Sequence, residues 1–98
     1  MGYRTGQRIK FSAEKQSYII KAANDRYLIC TKPFNLEKTL WLYTIVDLQE
    51  NIRETGNLIF GMGAKADEQC REMLERIVTG DTKISYRNRV ALDIQAAI

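Results

Sequence analysis

The segment "TLWLYTIVDL", Thr39 to Leu48, constrains this chain more than any other. It is rich in Leu, Trp, Tyr, Ile, Val and Thr, the residues that fit a pleated surface, so it predicts a β-strand. Alternation places Leu40, Leu42, Thr44 and Val46 on one face and Trp41, Tyr43, Ile45 and Asp47 on the other. Both faces are largely apolar, which predicts a central strand covered on both sides. One helix covers one face of a small sheet. The other must be closed by a barrel-like curl, by the C-terminal tail or by another protein.

Around this strand the pattern is mostly β. "GQRIKF" places Ile9 and Phe11 two apart after Gly6 and reads as a short first strand. Tyr18–Lys21 and Tyr27–Thr31 flank "AANDR" and predict a hairpin whose Asn24 and Asp25 tolerate positive φ. Pro33 lacks a backbone donor, so the second hairpin strand is expected to stop there and "FNLEK" to connect onward. "QENIRETGN" reads as a polar loop with its turn at Gly56 and Asn57, before a strand from Leu58 to Phe60. "TKISYRNRVALDI" alternates again, with Ile84, Tyr86 and Val90 inward and Lys83, Ser85, Arg87 and Arg89 outward, and "QAAI" is left unassigned.

A single helical period breaks this pattern. Ala66, Cys70, Met73, Leu74, Ile77 and Val78 recur at i, i+4, i+7, i+8, i+11 and i+12, predicting an amphipathic helix from about Ala64 to Thr79. Asp67 and Glu68 suit its positive end, Asp67–Arg71 and Glu72–Arg76 are favourable pairs, and Gly80 is a C-terminal cap. The expected fold is α+β, with one domain over residues 1–98. It is a curled antiparallel sheet of about four to six strands, an SH3-like half-barrel being one way to curl it, with the helix packed on it.

The chain contains no histidine, which removes Ser-His and Cys-His nucleophile pairs, the imidazole base and the commonest transition-metal ligand. Cys30 and Cys70 form no CxxC pair, so no metal or other cofactor is expected. They read as two buried free thiols, with a disulfide as the alternative. An enzyme would have to rest on a carboxylate such as Glu14, Asp47 or Glu50 beside a lysine or tyrosine, and no spacing selects such a pair. "MGYRTGQRIKF" has no apolar h-region and no long apolar run follows, which predicts a cytoplasmic protein with no membrane span.

Net charge is +3, unevenly spread. Residues 1–38 carry eight Lys/Arg against three Asp/Glu, residues 39–82 four against eight, and residues 83–98 three against one. Basic ends flank an acidic middle, an arrangement that suits a charged partner or self-complementary packing of the ends on the middle.

Three candidate sites follow. "GMGAKA", from Gly61, fits the dinucleotide fingerprint G-x-G-x-x-G/A, with Asp81 twenty positions on. A parallel βαβ unit is required there, however, and the preceding residues read as antiparallel hairpins, so Gly61 and Gly63 read as a strand-to-helix turn. A basic stripe of Lys83, Arg87 and Arg89 beside Tyr86, extended by Arg4, Arg8 and Lys10, is a nucleic-acid-binding candidate or the guard of an edge strand. Trp41 and Tyr43, with Arg87 and Arg89, are candidates for binding a partner protein or a second copy, or Trp41 and Tyr43 are core.

The blocks "RYLICTKPFN", "LYTIVDL", "NLIFGMG" and "SYRNRVALDI" together resemble a group of small, functionally unassigned bacteriophage and prophage proteins, from about Tyr18 to Ile94. The resemblance implies an accessory role, such proteins often binding a host macromolecule to block a defence nuclease or another host enzyme. The resulting expectation is a non-enzymatic protein that binds a host protein, with a nucleic-acid-binding module using the basic C-terminal strand as the alternative.

Overall fold

A computed structural model describes residues 2–34, 37, 40–60, 64–82 and 89–97, with 55–60, 64–66 and 96–97 described by their backbone alone. Strands β1 (Arg8–Phe11), β2 (Tyr18–Ala23), β3 (Tyr27–Pro33), β4 (Leu40–Asp47) and β5 (Ile52–Phe60) form an antiparallel meander. Helix α1 (Ala64–Thr79) follows, then β6 (Arg89–Ala91) and β7 (Ile94–Ala97). The sheet has seven strands in the order β6-β5-β4-β3-β2-β1-β7. Its two outermost strands are separated in the chain only by Leu92 and Asp93, so the sheet curls into a half-barrel whose seam is spanned by one segment. The fold is the expected α+β one, with more strands than the sequence suggests.

The curl answers how β4 is covered on both sides. Val46 joins an inner core with Ile9, Phe11, Tyr18, Ile20, Leu28 and Cys30, against which Leu92 and Ile94 of the seam segment also pack. Ile45 joins a second cluster with Ala22, Ile29, Cys70 and Ile77, flanked by Tyr43, Met73 and Leu74. The sheet closes on itself inside, and α1 covers the outside over β2 and β3. A bulge in β2 lets one strand serve both cores: Ile20 pairs with Cys30 and Ala22 with Ile29, leaving Lys21 as the extra residue. Lys21 reaches Asp67 of the helix at 2.8 Å, so Asp67 ties the helix to the sheet. Cys30 and Cys70 are buried free thiols.

Several local expectations are corrected. The β2–β3 turn needs no positive φ; Asn24 Oδ1 accepts from the amides of Arg26 and Tyr27 at 2.8 and 2.7 Å, an Asx turn. The β4–β5 turn lies at Leu48–Asn51, not at Gly56–Asn57, with Asn51 in the left-handed region at φ 55°. Asp47 Oδ1 holds that turn by accepting from the amides of Gln49 and Glu50. Gly56 and Asn57 instead lie inside β5, where the register shifts opposite Thr44, the bulge a strand glycine favours. Val78 is 61% exposed and Val90 42%, neither facing inward as the periodicities suggest; β6 is a three-residue edge strand with every residue exposed. Residues 95–97 of the tail left unassigned join Ile94 in β7, which pairs with β1, and Ile98 lies outside the described residues. The helix matches its expected bounds and ends at Gly80, whose φ is 87°.

Candidate functional site

Because α1 lies over β2 and β3, a groove remains between the helix and the β4–β5 side of the sheet. It encloses about 410 Å³. Tyr43 and Ile45 of β4 and Met73 of α1 supply apolar surface, while Glu54, Gln69, Glu72, Arg76 and Thr82 make it polar around them. Their convergence follows from two periods: alternation puts Tyr43 and Ile45 on one face of β4, and helical spacing puts Gln69, Glu72, Met73 and Arg76 along one side of α1. Burial raises the Tyr43 phenol above its usual value, with the Glu54 charge adding to the effect. Its ring is half-buried, an aromatic body in a groove with a polar rim.

A second constellation sits at the seam, where Arg53 of β5 is buried, only 2% exposed. Arg53 donates from Nε to Asp93 Oδ1 at 2.8 Å and from a terminal nitrogen to Glu14 Oε2 at 3.0 Å. Glu14 also accepts from the Lys32 ammonium at 2.8 Å and from the Tyr18 hydroxyl at 2.7 and 2.9 Å. Asp93 further accepts from the Ala13 amide at 2.9 Å and the Ser12 hydroxyl at 3.3 Å. Burial alone would raise the Glu14 carboxyl, but hydrogen bonds from Lys32 and Tyr18 and the charges of Lys32 and Arg53 outweigh it, and Glu14 lies below the ordinary carboxylate value. Asp93 is likewise low, its burial overcome by Arg53 and by the Ala13 amide and Ser12 hydroxyl. Burial and the bond to Glu14 push the Tyr18 phenol well up.

This cluster contains the carboxylate–lysine–tyrosine grouping that no spacing in the sequence selects. Its chemistry points away from proton transfer: the carboxylate is a weaker base and the phenol a weaker acid than usual, whereas a general acid or base works best near the operating pH. No signal marks it in sequence, since Glu14, Lys32, Arg53 and Asp93 come from four separate parts of the chain.

The sequence candidates separate into groups. Trp41 and Tyr43 are half-buried, and Tyr43 lines the groove. The Trp41 Nε1 atom is buried without a hydrogen-bond partner among the described residues. Arg89 is exposed on β6 and stands opposite Glu54, itself opposite Ile45, so one cross-strand row carries Arg89 toward the groove. Arg4 and Arg8 are exposed and Lys10 half-buried; Arg8 and Lys10 lie on β1, which does not pair with β6. Lys83, Tyr86 and Arg87 lie outside the described residues, as do Gly61 and Gly63 of the fingerprint match. Among the described residues no group of His, Cys, Asp and Glu is placed to hold a metal, and no helix is long and apolar enough to cross a membrane. Comparison with protein-family models, with curated proteins and with solved structures gives no match.

Proposed function

We propose that this chain is a non-enzymatic binding protein, a phage- or prophage-encoded accessory factor that acts in the bacterial cytoplasm by docking on a host protein. The groove between α1 and the β4–β5 side of the sheet carries the reading. It presents a half-buried tyrosine and a methionine inside a polar rim, the anatomy of an interface in which a few anchors carry most of the energy. Methionine adapts its shape to whatever fills the space beside it. Arg89, at the end of the row through Glu54, adds a cation on the same side. The resemblance to phage accessory proteins favours a host defence or nucleic-acid-processing enzyme as the target, held in an inhibited state.

The test is affinity purification from an infected or lysogenic host with tagged wild-type protein, Tyr43→Ala and Arg71→Glu, the last an exposed helix change outside the groove. One host protein is expected with wild type and Arg71→Glu and is reduced at least about tenfold with Tyr43→Ala, the loss of one anchor. Equal recovery with all three overturns the groove. Salt-sensitive retention of nucleic acid, weakened by Arg8→Ala, Lys10→Ala and Arg89→Ala, would replace this reading with the nucleic-acid one. A concentration-dependent dimer lost in Tyr43→Ala would make the partner a second copy.

A further inference from the structure

The seam network is more ordered than one ion pair requires. Glu14 stands on the connection between β1 and β2, while the groups that donate to it stand on three strands: Tyr18 on β2, Lys32 on β3 and Arg53 on β5. Each donor has an anchor that does not involve Glu14. The Arg53 guanidinium lies 4.1 Å from the centre of the Phe11 ring and is held at Nε by Asp93. The Lys32 ammonium lies 4.9 Å from the centre of the Tyr18 ring. The Tyr18 ring meets Phe11 edge-on, 5.3 Å between centroids and 74° between planes. These contacts hold three donors aimed at one point whether or not a carboxylate is there.

The charge at that point is also defined. Without Glu14, the ion pairs of Lys32 and Arg53 among the described residues reduce to the one with Asp93, an excess of one positive charge. The side chains of Lys32 and Arg53 are 12% and 3% exposed, so water screens that charge weakly. Beside it an open cleft of about 440 Å³ is lined by Ala13, Glu14, Arg53, Val90, Ala91 and Asp93. The geometry points to a carboxylate receptor at the seam, built by Tyr18, Lys32 and Arg53, for which Glu14 is a tethered resident ligand and which accepts a free monoanionic carboxylate when the tether is removed. The site is separate from the groove, and neither reading depends on the other.

The test removes the tether. The melting temperature of Glu14→Ala at pH 7 is measured in acetate, phosphate and chloride at matched ionic strength, beside wild type and the double variant Glu14→Ala/Lys32→Met. Acetate is expected to raise the melting temperature of Glu14→Ala by about 3 °C or more over chloride, as a ligand that binds only the folded state does. Phosphate, carrying more charge than the site's excess, is expected to do less, and wild type and the double variant to respond weakly. Should Glu14→Ala be unfolded in chloride, acetate must restore its folded near-ultraviolet signal. A Glu14→Ala protein that gains no more from acetate than wild type, or stays unfolded in it, overturns the receptor. A double variant that responds as strongly as Glu14→Ala overturns the assignment of Lys32.

Discussion

Arg53 and Phe11 face each other across the seam, the guanidinium carbon 4.1 Å from the ring centroid. The ring belongs to β1 and the cation to β5, strands that share no hydrogen bonds, so this contact and the two carboxylates on Arg53 join sheet regions that pairing alone does not. Arg53→Met keeps the length of the side chain and leaves Glu14 and Asp93 short of a cation. Breaking a buried pair on one side costs about 3 kcal/mol or more. Urea denaturation is expected to show a loss of that order; a loss below about 1 kcal/mol would assign Arg53 the small role of a surface ion pair.

Acid should unfold the protein through the same groups. Glu14, Asp47 and Asp93 all lie below their ordinary values in the folded chain, in each case because hydrogen bonds and cations overcome the upward push of burial. A depressed carboxyl contributes stability that is fully present above its unfolded value, about 4, and is lost as pH falls through its folded value. Stability measured by denaturant should therefore hold near pH 6 and fall steeply below about pH 4. Arg53→Met, which removes the cation shared by Glu14 and Asp93, should show a shallower fall than wild type. Parallel profiles for the two proteins would contradict this account.

Gly80 closes the helix at φ 87°, and beyond its own chain neighbours and helix backbone no atom of the described residues lies within 4 Å of where a Cβ would stand. A side chain would fit, so the cost of replacing the glycine is conformational alone. Gly80→Ala is expected to lose about 1 kcal/mol, and Gly80→Asn less, because asparagine tolerates the left-handed region. Thermal denaturation of the two variants in one buffer checks the order. An alanine variant as stable as wild type would show that the helix end relaxes.

Both cysteines should resist modification in the native protein. Burial pushes the Cys30 thiol far up, with the Cys70 charge adding to it, and burial pushes Cys70 up to about 11 despite nearby Lys21. The reactive thiolate is therefore scarce at neutral pH. Labelling with a disulfide reagent at pH 8 should be slow without denaturant and rapid, at both residues, once urea unfolds the chain. Cys70, on the sheet-facing side of the helix, is expected to react before Cys30, which lies in the inner core. Fast labelling of Cys30 in the native state would contradict its place in the core.

What the sequence disclosed was local. The spacing of Cys70, Met73, Leu74 and Ile77 depends only on helical periodicity, and the helix formed where that periodicity places it. The two apolar faces of Ile45 and Val46 correctly demanded cover on both sides, because each residue's apolarity is local, but they left open whether a curl of the sheet, the C-terminal tail or another protein closes the second face. The β4–β5 turn misled because Asn51 took the left-handed conformation while the more suggestive Gly56 was absorbed as a bulge. The seam was illegible: Arg53 meets Glu14 across 39 positions and Asp93 across 40, and no period links such residues. The groove was half legible, since Tyr43 stood out as an aromatic while Glu72 read only as a helix partner of Arg76 and no pattern marked Gln69.

The seam also sets when the molecule can finish folding. Phe11 pairs with Ile94, and Ser12 bonds to Asp93 across 81 positions. During translation the meander from β1 to β5 can assemble while later codons are still being read, but β1 then stands with its outer edge uncovered until residues 94–97 leave the ribosome. A nascent chain stalled before that point would carry an open strand edge, the kind that recruits other chains. Completion therefore depends on one long-range closure between β1 and residues 94–97, the step expected to govern the folding rate.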